Sequence, residues 1–236
     1  MSFRPKHAMV LAAGLGLRMR PITEHIPKPL VEVAGRTMLD RALDHLDKAC
    51  VTAFVVNTHW LADKVRAHLA HRSDIVISHE EELLETGGGV TKALPLLGDA
   101  PFYVVNSDII WTDGAQPALQ RLAEAWDDSR MDALLLMQRT ATAVGYDGAG
   151  DFFLDPNGVP RRRKGAEVAP LLFSGVQILS PRLFEGAPTG KFSLNVLYDR
   201  ALEDARLFGL VHDGRWYHVG TPEALPEVDA LLREEA

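Results

Sequence analysis

Residues 7–30 read HAMVLAAGLGLRMRPITEHIPKPL, and the reading of this stretch decides the fold. His7 to Ala13 is a continuous apolar run, the mark of a strand buried on both faces of a parallel sheet. The strand closes on Leu11, Ala12 and Ala13, after which Gly14 and Gly16 let the backbone turn sharply and approach a ligand closely. Such a loop turns main-chain N–H groups toward phosphate oxygens. A helix does not follow, because Pro21, Pro27 and Pro29 oppose one. The dinucleotide motif G-x-G-x-x-G would also require glycine where Met19 stands, which argues against a nicotinamide-dependent oxidoreductase. Arg18, Arg20 and Lys28 instead gather positive charge on a proline-stiffened loop. Holding these cations together is costly unless an anion neutralises them.

Downstream, strands and helices alternate. Met38, Leu39, Ala42, Leu43 and Leu46 recur at helical spacing, Val51 to Asn57 reads as a strand, and Leu61, Val65 and Leu69 mark a second helix. A short strand over Asp74 to Ser78 leads to an acidic run, Glu80 to Glu82, expected to be a solvated edge. Gly87-Gly88-Gly89 opens a helix that continues over Thr91 to Leu97, and Pro101 to Asn106 is another buried strand. This rhythm predicts an α/β fold: a three-layer, Rossmann-like, doubly wound sheet with right-handed crossovers. Ligands in such sheets bind at the carboxyl ends of the strands. The second half predicts a helix over Ala115 to Trp126, strands over Asp132 to Gln138 and Leu171 to Leu179, and hairpins between Gly145 and Lys164. Asp213-Gly214 is a hairpin turn signal, and Thr221-Pro222-Glu223 reads as a helix start. Residues 1–236 are expected to form one domain, with residues 1–114 and 115–236 as its halves.

Composition narrows the partners. Lys and Arg number 25 against 32 Asp and Glu, a formal charge of −7, which disfavours nucleic acid and anionic membranes as partners. Charged residues at 24% and apolar ones at 47% describe an ordinary globular chain. The single cysteine, Cys50, excludes an internal disulfide and is expected to be buried. No signal peptide or long apolar span is legible, so a cytoplasmic location is expected. His7, His45, His68 and His71 lack metal-ligand spacing and read as structural or surface residues.

Leu11-Ala12-Ala13-Gly14-x-Gly16-x-Arg18-Met19-x-Pro21, followed by Pro27-Lys28-Pro29-Leu30, resembles the signature of the sugar-1-phosphate nucleotidylyltransferases. Further stretches match in the same order: Glu85 to Gly89, Val104 to Asp108, Phe173-Ser174-Gly175-Val176, and Trp216 to Thr221. Glu85 to Gly89, Lys92 to Gly98 and Trp111-Thr112-Asp113 are most similar to the short bacterial N-acetylmuramate-α-1-phosphate uridylyltransferases of cell-wall recycling.

The resemblance implies a mixed sheet of the nucleotide-diphospho-sugar transferase type and an enzyme that joins a nucleoside triphosphate, UTP above all, to a sugar-1-phosphate. It implies that Arg18 and Lys28 are catalytic, and that Leu11, Ala12, Ala13, Gly14, Gly16, Arg18, Gly87 and Gly88 bind the nucleotide, with Glu85 ordering its loop. Asn106, Ser174 and Gly175 would meet the sugar, and Asp108 would hold Mg²⁺. The family's late element is W-x-D-x-G-T, whereas this chain has His218 where that carboxylate belongs. Imidazole suits Mn²⁺ better than Mg²⁺. Three readings therefore stand: His218 ligates the metal, it contacts phosphate, or Asp108 holds the metal with water and phosphates alone. Asp213 either reaches the site or, as its place before Gly214 favours, forms a turn. Arg161-Arg162-Arg163-Lys164 is either a solvated hairpin tip or a contact for the lactyl carboxylate of a muramic acid substrate. Mannose-1-phosphate guanylylation, glucose-1-phosphate thymidylylation and a catalytically silent nucleotide-sugar binder are the alternatives.

Overall fold

The computed structural model describes residues 3–234. In chain order the elements are β1 (His7–Leu11), β2 (Glu32–Val33), β3 (Arg36–Thr37), α1 (Met38–Lys48), β4 (Ala53–Thr58), α2 (Ala62–Leu69), β5 (Ile75–His79), α3 (Glu85–Leu97), β6 (Phe102–Asn106), β7 (Ile109–Trp111), α4 (Ala118–Ala125), β8 (Ala133–Arg139), β9 (Ala143–Val144), β10 (Phe152–Leu154), β11 (Pro160–Arg162), β12 (Leu171–Leu179), α5 (Asn195–Glu203), β13 (Leu207–Val211), β14 (Trp216–His218) and α6 (Ala224–Glu234). In the central sheet β5, β4, β1 and β6 run parallel in that order. Antiparallel β12 follows β6, and β8, β13 and the β10–β11 hairpin extend that side. The sheet is mixed and doubly wound.

The apolar strands are explained by what lies on each face. Ala8, Val10, Phe54, Val56, Tyr103 and Val105 pack under α1, α2 and α4. The intervening Met9, Val55 and Val104 pack under α3 and α5. A strand covered on both faces needs apolar side chains at every position, which removes the period-two alternation of a half-exposed strand. A third cluster joins Met19, Val31 and Val33 of the glycine–proline stretch to Ile110, Tyr217 and Val228, so α6 clasps the loop from the far end of the chain.

The chain leaves β1 toward β4 on one side and returns to β6 on the other. A crevice therefore opens at the carboxyl ends of β1 and β6, where Leu11 and Asn106 are register partners. Above it lies a small sheet in the order β7-β14-β9. Trp216 Nε1 donates to the Ser174 carbonyl at 2.8 Å and ties this small sheet to β12.

Three local expectations are corrected. Asp213-Gly214 does not close a hairpin, because β13 pairs with β8 in the central sheet while β14 crosses to the small one. The last helix starts at Ala224, three residues beyond the Thr221 expected to cap it. Cys50 is exposed at a left-handed backbone position just after α1 (φ 61°). No helix of the described residues is long and apolar enough to cross a membrane. Trp216→Phe keeps the aromatic bulk but orphans the buried Ser174 carbonyl, so urea unfolding should show a loss of about 1–3 kcal/mol. An unchanged midpoint would mean the tie carries no weight.

Candidate active site

The glycine–proline loop is held from beneath. Gly16 adopts a left-handed conformation (φ 63°), and its carbonyl accepts a hydrogen bond from Thr23 Oγ1 at 2.8 Å. A Cβ on Gly16 would lie 2.8 Å from Thr23 Cγ2, so this close approach admits only glycine. Thr23 is itself buried, and Trp60 Nε1 donates to its carbonyl at 2.9 Å. Neither Thr23 nor Trp60 stood out in the sequence, since an isolated Thr and Trp carry no motif.

The loop delivers Lys28 to Asp108, with Nζ 2.8 Å from Oδ2. Asp108 sits in the turn between β6 and β7. Pairing of β14 with β7 places His218 opposite Ile109, the residue next to Asp108. His218 Nε2 consequently lies 4.0 Å from Asp108 Oδ2. Burial pushes the Asp108 carboxyl up, but the adjacent Lys28 ammonium, by charge and by hydrogen bond, holds it below the ordinary carboxylate range. Burial, aided by the positive field of Lys28 and Arg18, holds the His218 imidazole below its ordinary value against the pull of Asp108. A neutral ring whose Nδ1–H donates to the Gly145 carbonyl, at 3.2 Å, turns the Nε2 lone pair toward Asp108.

One carboxylate and one imidazole lone pair form a sparse donor set. It fits a divalent cation that keeps most of its coordination for water and phosphate oxygens. The imidazole moves the preference toward Mn²⁺. Among the described residues no group of three His, Cys, Asp or Glu side chains gathers into a metal cage.

Two clefts meet here. The smaller, of about 330 Å³, is lined by Leu11, Ala13, Gly14, Lys28, Asn106 and Asp108, with Asn57, Glu80, Glu85 and Thr86 on its other wall. The larger, of about 850 Å³, is lined by Arg18, Gly145, Tyr146, His218 and Thr221. Arg18 is exposed and makes no hydrogen bond among the described residues, so its guanidinium is free for a ligand.

Several expected contacts fall elsewhere. The Ala12 N–H does not face a ligand, because it donates to Asn57 Oδ1 at 2.7 Å. The amides of Gly87 and Gly88 point to the Phe192 carbonyl, at 2.9 and 3.1 Å, and not to a nucleobase. The three glycines lie in the first turn of α3 because neighbours crowd it. A Cβ would meet the Phe192 ring at Gly87, the Gly190 carbonyl at Gly88 and the Glu80 carboxylate at Gly89. Ser174 and Gly175 are buried behind the cleft wall, with Gly175 packed against Asn106. Glu80 is no solvated edge, being 1% exposed within the smaller cleft's wall.

The basic run braces its hairpin. Arg161 pairs with Glu167, Arg162 with Asp199, and Arg163 donates to the Gly150 and Gly165 carbonyls. Asp213 pairs with Arg121. His68 pairs with Asp40, and His45 stacks on Trp111.

Residues 8–185 match the sequence profile of the MobA-like NTP transferase domain. The chain belongs to that family. Members transfer nucleotidyl groups, and this chain is a nucleotidyltransferase. It is 46% identical over 241 residues to the N-acetylmuramate alpha-1-phosphate uridylyltransferase of Caulobacter vibrioides, covering 99% of this chain and 100% of that protein. It is 36% identical over 230 residues to the enzyme of the same name from Neisseria meningitidis serogroup B, covering 95% and 97%. The fold matches that of UDP-glucose pyrophosphorylase complexed with UDP-glucose, with a TM-score of 0.79 over 98% of this chain and 100% of that one at 17% identity.

If Lys28 depresses Asp108, Lys28→Met should let the Asp108 carboxyl rise in a carbon-detected NMR titration. The sign follows from linkage. A depressed carboxyl stabilises the fold above the ordinary carboxylate range, and that stabilisation is lost as pH falls through the depressed value. Lys28→Met should lessen this loss, and an unmoved titration would exclude the cation as its cause.

Proposed function

We propose that this chain is a uridylyltransferase joining UTP and N-acetylmuramic acid 1-phosphate to give UDP-N-acetylmuramic acid and pyrophosphate, in cytoplasmic recycling of cell-wall sugar. The observation that carries this reading is the convergence of Lys28, Asp108 and His218 where two clefts meet. The names of the Caulobacter and Neisseria relatives supply the base and the sugar.

In the reaction an oxygen of the sugar phosphate bonds to the α-phosphorus of UTP, and the bond to the bridging oxygen of pyrophosphate breaks. The attacking oxygen is already an anion, so no general base is needed. The barrier lies in bringing anions together and in the charge on the leaving group, and positioned cations lower both. The smaller cleft, built largely from residues 1–114, takes the nucleotide, with Leu11, Ala13 and Gly14 along its wall. The larger cleft, built largely from residues 115–236, takes the sugar phosphate. Lys28 is held by Asp108 at the junction, where its ammonium counters charge on the α-phosphate as the new bond forms. Arg18, on the rim, grips the departing pyrophosphate with two N–H donors, a contact a lysine could not reproduce. Asn106 lines the smaller cleft two residues from Asp108, and from this junction it offers its carboxamide to a hydroxyl of the sugar seated in the larger cleft.

Asp108 and His218 would hold a divalent cation, Mg²⁺ or Mn²⁺, which when bound supplies charge to oxygens that repel one another.

Lys28→Ala should lower turnover at least about 100-fold, the range seen when a key electrostatic donor is removed. Activity within about threefold of the parent enzyme would mean the lysine has another task. Pyrophosphate release across a grid of nucleoside triphosphates and sugar-1-phosphates, with Mg²⁺ and Mn²⁺ in parallel, tests the substrates. Preference for UTP with N-acetylmuramic acid 1-phosphate is expected. Strong turnover with GTP and mannose 1-phosphate would overturn the assignment, and no turnover in any combination would favour a silent nucleotide-sugar binder.

A further inference from the structure

Within the wall of the smaller cleft runs a buried chain of hydrogen bonds to which the reaction as described assigns no task. Glu80 is 1% exposed and Asn57 3% exposed. One Glu80 oxygen, Oε2, accepts from the Leu84 N–H at 2.9 Å, and the other, Oε1, accepts from Asn57 Nδ2 at 2.7 Å. Asn57 Oδ1 in turn accepts from the Ala12 N–H at 2.7 Å. Among the described residues no cation pairs with Glu80, although burying a carboxylate without one is unfavourable. Its two neighbours explain the choice. Both present donors, and a carboxylate offers each of them a separate accepting oxygen.

The carboxylate also decides which way Asn57 points. The two ends of a carboxamide are nearly the same shape and differ only in hydrogen-bonding sense. With Glu80 receiving Nδ2, Oδ1 is left to face Ala12. The reversed carboxamide would set NH₂ against the Ala12 N–H and against nothing that accepts. Gly89 completes the packing, since a Cβ there would lie 2.7 Å from Glu80 Oε1 and 3.0 Å from Asn57 Nδ2. Ala12 sits between Leu11 and Ala13, and these line the cleft together with Gly14.

We propose that Glu80 and Asn57 are positioning residues for the nucleotide: Glu80 orients the Asn57 carboxamide, and Asn57 pins Ala12 so that Leu11, Ala13 and Gly14 form a fixed wall. This rests on the reading of the smaller cleft as the nucleotide site. A wall that contacts ground state and transition state alike affects KM for the triphosphate and leaves kcat nearly unchanged.

The arrangement admits a polarity-swap test. Glu80→Gln presents NH₂ to one of two donors, and Asn57→Asp sets a second carboxylate against Glu80. The double variant restores every bond with the sense of the central one reversed. The introduced carboxamide donates to the introduced carboxylate and still accepts from Leu84 N–H, and that carboxylate still accepts from Ala12 N–H. Steady-state kinetics use the full chain with whichever triphosphate the parent enzyme turns over, alongside thermal unfolding. Each single variant should raise KM for the triphosphate about tenfold or more with kcat within about threefold, and the double variant should return KM to within about threefold of the parent. Gly89→Ala, which crowds the pair without removing a polar group, should raise KM in the same direction and serves if a single variant does not fold. Unchanged KM in the variants overturns the proposal, as does a double variant no better than the worse single. A lowered unfolding temperature with unchanged KM also overturns it, reducing the pair to a structural role. Absence of turnover by the parent chain, measured first in the same assay, counts instead against the uridylyltransferase reading.

Discussion

Lys28 Nζ and Asp108 Oδ2 stand 2.8 Å apart, and most of the site is arranged around this contact. The ammonium must come from a loop that would otherwise be repelled by its own cations, and the carboxylate must remain charged although burial opposes it. Each group makes the other tolerable. The pair also brings together segments 80 residues apart. Its position is set from three directions: by the braced turn around Gly16 and Thr23, by the carboxyl end of β6, and by the register of β7 with β14. That register matters because a slip of one residue would turn His218 to the other face of the small sheet.

Much of this was legible in the chain. Continuous apolar runs announce strands covered on both faces, and Gly175, inside the strand read over Leu171 to Leu179, falls in a register shift of β12 between Phe173 and Gln177. Asp108 and Asn106 were recognisable because they sit where an apolar strand ends, and polar residues there face the crevice, whereas Lys28 was recognisable as a cation of the proline-stiffened loop. His218 was recognisable as a departure from a pattern. Its imidazole is bonded to the Gly145 carbonyl and held below its ordinary value by burial and by Lys28, influences that lie outside its local sequence.

The errors share a physical origin. Glu80-Glu81-Glu82 reads as a solvated run, yet Glu80 is buried because β5 delivers it between Asn57 and the Leu84 amide. Gly87, Gly88 and Gly89 read as a helix start with amides turned to a ligand, but the Gly87 and Gly88 amides bond to the Phe192 carbonyl, and the glycines are small because Phe192, Gly190 and Glu80 occupy the space. Asp213-Gly214 has the composition of a hairpin turn, and the flanking strands find better partners in separate sheets. In each case a residue distant in sequence supplied the deciding neighbour.

The sequence by itself determined the doubly wound sheet, the place of its crevice and the cations brought to it. Periodicity and glycine–proline punctuation are local properties and survive without knowledge of the rest of the chain. Which amides remain free for a ligand was decided by tertiary structure alone. A main-chain N–H is chemically the same at Ala12, Gly14, Gly87 and Gly88, and only its spatial partner distinguishes a binding group from one already satisfied. Asn57 takes the first and Phe192 the last two. The acidic surplus of −7 said nothing of this, since a net charge sums over the surface while the site is a matter of a few ångströms.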